Sequence, residues 1–175
     1  MKGRSVIAAA LLLAACDEPT VITHVDRRPG FKLGDLWAIQ DARGIPVEIH
    51  GRAFSHVSDR ELAEALRPPA SSAQEVAFYA TPPGSWQGRE GWRLVLHFNP
   101  QGAPNAYKDC QRVEEARTNA SPSGSFTVNA SFCRGERWEA HGYMQVLEID
   151  DGDLEAFSET MRTLMMAIFR EEPDR

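Results

Sequence analysis

Polar side chains alternate with apolar ones along two neighbouring stretches of the chain, at 126–132 and 138–144. If the two stretches form an antiparallel hairpin, their period of two places one set of polar side chains on a single face. A histidine beside a carboxylate on such a face can support acid–base chemistry or hold a polar ligand. We therefore define a candidate ligand face by Asn129, Glu139, His141 and Tyr143.

A simpler interpretation competes with this one, because the outer face of an antiparallel sheet is ordinarily polar and solvated. We favour the simpler interpretation. A hydrolase would need His141 to meet Glu139 or Asp109 within hydrogen-bond reach in a cleft. The sequence contains no nucleophile elbow, phosphate-binding loop, zinc-protease motif or dinucleotide-binding motif. We accordingly predict no catalytic residue, no metal ligand and no cofactor, and a protein that is not an enzyme.

Two tryptophans, Trp86 and Trp92, bracket a glycine-containing loop. If they are exposed, they could stack on a sugar or on a partner protein. Tryptophans in a domain of this size are more often part of the core, and we favour that interpretation.

The hairpin turn is expected at Gly135, which sets a register that keeps the apolar residues together on one face. In this register Asn129 lies opposite His141, and Ser131 lies opposite Glu139. The apolar pairs are Phe132 with Trp138, Ala130 with Ala140, Val128 with Gly142, and Phe126 with Met144.

The remaining elements follow from periodicity and capping. Alternation predicts strands at 45–51, 75–81 and 92–99, and a shorter strand is compatible with 21–25. Ser58 and Glu61 form a capping-box pattern that begins a helix, which ends before Pro68. A second helix is predicted from about 151 to 169, capped by Asp150 or Asp151. This order indicates an α+β fold, a mostly antiparallel sheet with two helices packed on one face.

The chain has 175 residues and a formal net charge of −6. An acidic domain is a poor candidate for binding nucleic acid. Cys110 and Cys133 are an even pair once Cys16 is set aside, and in an exported protein such a pair predicts a disulfide. Their spacing argues against a metal or redox pair, which would favour a CxxC pattern.

The first sixteen residues carry a short basic start, an apolar run from Val6 to Leu13 and then a cysteine. The apolar run is too short to span a bilayer of roughly 30 Å as a helix. The segment Leu13-Ala14-Ala15-Cys16 resembles the lipobox of bacterial lipoproteins. This resemblance implies acylation of the Cys16 thiol, cleavage before Cys16, and anchoring by two or three acyl chains.

The expected organisation is therefore a cleaved signal at 1–15, a lipidated N-terminus and tether at 16–43, and one α+β domain at 44–172. We expect a membrane-anchored periplasmic lipoprotein that is an accessory or binding module of the cell envelope and contacts an envelope protein. The alternative is a domain that binds a small molecule or a glycan, and a hydrolase is the less favoured third. Asp17 and Glu18 resemble a signal that retains lipoproteins in the inner membrane. Location in the outer membrane is the alternative.

Overall fold

The computed structural model describes residues 20–32, 34–36, 40–69, 76–85, 91–111, 117–120 and 124–170. These residues form an α+β fold with six strands and three helices. The strands are β1 (Thr20–Arg27), β2 (Ile45–His50), β3 (Phe78–Thr81), β4 (Trp92–Phe98), β5 (Phe126–Arg134) and β6 (Arg137–Val146). The helices are α1 (Asp59–Ala65), α2 (Ala106–Gln111) and α3 (Leu154–Phe169).

The strands form one mixed sheet in the order β1-β6-β5-β4-β2-β3. Strands β1, β6, β5 and β4 pair antiparallel, as expected. Strand β2 pairs parallel with both β3 and β4, because α1 carries the chain back between β2 and β3. A parallel connection requires such a crossover.

Helices α1 and α3 cover one face of the sheet, and the hydrophobic core lies between them and the strands. The apolar stripe of α3 is buried there, and it consists of Phe157, Met161, Leu164, Met165 and Ile168. Helix α3 lies close to the backbone at Gly142 of β6, where an added Cβ would lie 2.8 Å from Ile168 Cγ1 and 2.9 Å from Leu164 Cδ1. A glycine in the centre of the strand therefore lets α3 pack directly on the sheet.

The two predicted helix starts have different outcomes. The capping box at Ser58 is confirmed, because its hydroxyl accepts from the Glu61 amide while the Glu61 carboxylate accepts from Ser58. The predicted cap of the second helix is wrong by two or three residues. Asp153 caps α3, whereas Asp151 accepts hydrogen bonds from Ser55.

The predicted hairpin register is wrong by two residues, although every polar residue of the ligand face keeps its side of the sheet. Arg134 pairs with Arg137 across a two-residue turn, and Gly135 there has φ +56°. An irregularity follows next to Phe132. The turn and the bulge each shift the pairing by one residue, and two shifts return side chains to their original face.

The observed pairs include Asn129 with Tyr143 and Ser131 with His141, in place of Asn129 with His141 and Ser131 with Glu139. Trp138 is also misplaced by the prediction. It pairs with Cys133 and packs beside the disulfide, away from the main core.

The segment expected to be a tether contains a full strand of the sheet. Strand β1 extends the strand that the sequence allowed at 21–25 and pairs with β6 from Thr20 to Arg27. The sheet thus begins four residues after Cys16.

Cys110 of α2 and Cys133 of β5 form the predicted disulfide, with their Cα atoms 5.5 Å apart. The two cysteines are 23 residues apart in the sequence. Together with Val95 and Trp138 they form a small apolar cluster on the face of the sheet opposite α1 and α3. The disulfide therefore fastens α2 to that second face.

Loss of this disulfide should lower the free energy of unfolding by about 3 kcal/mol, the loop-closure entropy of a loop of this length. Cys110→Ser and Cys133→Ser should have equal effects, and the double variant should lose little more than either. Denaturant unfolding of the three variants under oxidising conditions measures this. Free thiols in the native protein, or clearly unequal single variants, would contradict the assignment.

Candidate functional site

The polar face of the sheet is not solvated, so the interpretation that the sequence favoured is wrong. Asn129 and His141 are only 1% and 4% exposed, and Glu139 is also buried. Tyr143, nearer the end of β6, is partly exposed. Helix α2 covers this face, whereas the sequence indicated only that one helical turn was plausible at 110–117. A buried polar face needs internal hydrogen bonds, because each unpaired group would cost about 1–3 kcal/mol.

Asp109 of α2 supplies the central acceptor of this face. Its Oδ2 atom accepts from Ser131 Oγ at 3.0 Å and from the Asn129 side-chain amide. Its Oδ1 atom lies 3.2 Å from His97 Nδ1. The other ring nitrogen of His97 lies 3.3 Å from the backbone carbonyl oxygen of Arg117. One buried carboxylate thus joins α2 to both β4 and β5.

His141 extends this network by one step. Its Nε2 atom hydrogen-bonds the Asn129 side-chain oxygen, so Asn129 connects the histidine to Asp109. Burial lowers the pKa of His141 from 6.5 to about 4, and the neighbouring His24 adds to the shift. The ring centroids of these two histidines are 5.2 Å apart. His141 is therefore neutral at ordinary pH.

The arrangement that a hydrolase would need is not formed among the described residues. His141 bonds Asn129 and neither Asp109 nor Glu139. Glu139 is paired with Arg137. Ser131 is fully buried and donates to a carboxylate, whereas a nucleophilic serine would face a histidine base.

A second buried cluster lies on the same face, around an ion pair between Glu48 of β2 and Arg93 of β4 at 3.1 Å. Burial alone would raise the pKa of Glu48. The hydrogen bond from the Gly84 amide, together with His50 and Arg93, whose nitrogens lie 3.5 Å and 3.1 Å from the carboxylate, outweighs burial and holds that pKa below its usual value. Arg93 also donates to the carbonyl oxygens of Cys110 and Gly135. The pair therefore fixes α2 and the hairpin turn at once.

A polar cleft of about 380 Å³ opens at one end of α2. Its floor contains His97, Asp109 and Asn129, and its rim contains Lys108 and Arg117. The floor residues already bond one another, so a ligand there would meet the rim first.

A larger groove of about 920 Å³ lies on the other side of α2, against the β5–β6 turn. We call it the arginine–tryptophan groove, defined by Arg28, Trp92, Tyr107, Arg134, Arg137 and Trp138.

Two arginines of this groove lie over its tryptophans. The guanidinium carbon of Arg28 is 5.0 Å from the ring centroid of Trp138, and that of Arg134 is 5.7 Å from that of Trp92. Such cation–π contacts hold the charged groups in place. The Arg28 amide also donates to the Glu139 carbonyl oxygen at 2.8 Å, which fixes its backbone.

Sequence reasoning missed this groove. Trp92 was noted, but as the partner of Trp86, which lies outside the described residues. Two of the groove arginines flank the turn at Gly135 in the short motif Arg-Gly-Glu-Arg, which was a usable local signal. Arg28 and Tyr107 are distant in sequence, and only the fold brings them there.

Comparison with known proteins gives no relative, since no family model, curated protein or solved structure matches the chain. No helix within the described ranges is long and apolar enough to cross a membrane. Within the same ranges, no three histidine, cysteine, aspartate or glutamate side chains are grouped as a metal site would require.

Replacing the central carboxylate should destabilise the fold without any ligand being present. Asp109→Ala leaves His97, Asn129 and Ser131 without their acceptor, and we expect a loss of about 3 kcal/mol in the free energy of unfolding. Lys108→Ala, an exposed neighbour on the same helix, is the matched control and should change stability little. Equal, small losses in the two variants would show that the network does not hold α2.

His141 should make stability depend on pH between 6.5 and 4. In this range His141 is protonated in the unfolded chain but stays neutral in the folded protein. Because the unfolded state binds more protons, the free energy of unfolding falls as the pH falls. The full difference, from a pKa of 6.5 to about 4, is about 3 kcal/mol.

Urea unfolding of wild type and His141→Gln at several pH values gives the free energy of unfolding of each protein as a function of pH. The contribution of His141 is the difference between the slopes of these two curves. Identical slopes for wild type and His141→Gln would mean that His141 titrates normally when folded.

Proposed function

We propose that this chain is a lipid-anchored binding module of the bacterial cell envelope, which acts by contact with another envelope component and not by catalysis. The observation that carries the proposal is the contrast between the two polar regions. The acid, amide and histidine groups of the buried face are bonded to one another, whereas the arginine–tryptophan groove faces solvent. Tyr107 there is 57% exposed.

The position of β1 supports anchoring close to the membrane. Three residues, 17–19, lie between Cys16 and the first residue of β1. The four Cα–Cα steps from Cys16 to Thr20 can span at most about 14 Å, whatever the conformation of the chain. Lipidation at Cys16 would therefore hold the beginning of β1 within that distance of the bilayer surface.

The groove lies at the opposite end of β1. Arg28, which lines it, follows the last residue of the strand. Eight residues of strand extend about 26 Å. The groove would thus lie about 26 Å along β1 from the anchored end, where a protein with a periplasmic domain could reach it.

The second candidate is the binding of a small polar molecule or a glycan. The polar cleft at the other end of α2 favours it, because Lys108 and Arg117 form a rim above a floor of defined hydrogen bonds. A hydrolase that uses His141 is not supported by the geometry.

The anchor is tested by fractionation of host cells that express wild type or Cys16→Ala. We expect wild type in the membrane fraction and resistant to high salt, because acyl chains do not depend on charge. The variant should be soluble or remain as uncleaved precursor. A Cys110→Ser variant, which also lacks one thiol, should stay with the membrane. Unchanged partition of Cys16→Ala would remove the lipoprotein proposal.

A further inference from the structure

The arginine–tryptophan groove has a charge opposite to that of the chain as a whole. The protein carries a formal net charge of −6, yet three arginines and one glutamate, Glu136, line the groove. A local charge of +2 on an acidic protein attracts anionic groups and does not bind polyanions in general.

Two of the three arginines keep their charge available. Arg137 is paired with Glu139. Arg28 and Arg134 contact tryptophan rings and form no ion pair with any carboxylate of the described residues. Both guanidinium groups can therefore still pair with an anionic group.

The shape of the groove favours an extended ligand over a small one. Small-molecule sites enclose most of their ligand. Here Tyr107, Arg134 and Arg137 are exposed, and the tryptophans are only partly buried. Tryptophan, tyrosine and arginine are also the residue types that carry most of the binding energy at protein interfaces.

We propose that the groove binds an acidic segment of an envelope protein, with its carboxylates on Arg28 and Arg134 and apolar side chains against Trp92, Trp138 and Tyr107. This inference rests on the proposed function and specifies its partner. A lipid headgroup fits less well, because the groove lies about 26 Å along β1 from the anchored end.

The test is site-specific photocrosslinking of the full, lipidated chain in host cells. A photoreactive phenylalanine analogue replaces Tyr107 in the groove or, as a control, Met166, which is 48% exposed on α3 beyond the opposite face of the sheet. Crosslinked peptides are then sequenced by mass spectrometry. We expect one envelope protein from position 107, joined through a segment rich in aspartate and glutamate, and none from position 166.

Charge reversal separates recognition from mere proximity. Arg134→Glu should lower the crosslinked yield from position 107 roughly tenfold, as loss of an interface anchor does. Arg60→Glu makes the same change at an exposed arginine of α1 and should leave the yield unaltered. A synthetic peptide of the captured segment should bind the purified mature protein more weakly at high salt.

Other outcomes overturn the inference. A saccharide adduct would make the groove a glycan site. If Arg134→Glu left the crosslinked yield unchanged, the charge of Arg134 would have no part in recognition of the partner. A partner captured only from position 166 would show that the groove is not the docking site, but it would still agree with the proposal that the chain is a binding module. If wild type is absent from the membrane fraction, the proposed function fails instead.

Discussion

The disulfide between Cys110 and Cys133 is the constraint on which the second face of this sheet depends. Helix α2 has only six residues, and a helix that short is not stable alone. The disulfide fixes it above β5, and only then can Asp109 reach three side chains from two strands. Without α2, those side chains would return to water, and the face would become the ordinary solvated side of an antiparallel sheet.

The same clamp links the buried networks to the surface. Arg93 bonds the carbonyl oxygens of Cys110 and Gly135, so one guanidinium holds the end of α2 and the hairpin turn together. Part of the wall of the arginine–tryptophan groove comes from these two elements: Tyr107 from α2, and Arg134 and Arg137, which flank the turn. The buried polar groups therefore fix the positions of the elements that carry part of the groove.

Much of the fold could be predicted because its signals are local. The capping box at Ser58, the alternating strands and the stripe on α3 each lie within a few residues of one another. What could not be predicted depends on distant contacts. The role of Asp109 depends on Asn129 and Ser131, twenty or more residues away, and on a disulfide that brings them together.

The candidate site shows the same division. Asn129, Glu139 and His141 lie on the predicted face of the sheet. The register differs from the prediction by two residues, and a shift by an even number leaves each side chain on its face. Their burial was missed, because alternation does not reveal whether something covers the outer face. The groove was missed because Arg28 and Tyr107 reach it from separate elements.

Amide hydrogen exchange of the oxidised and reduced mature protein tests the clamp most directly. The account predicts that reduction removes protection from the amides of α2, while α3 and the central strands β5 and β6 stay protected, since their core on the other face is untouched. Protection of α2 that persists after reduction would contradict the account, as would loss of protection throughout the sheet at once.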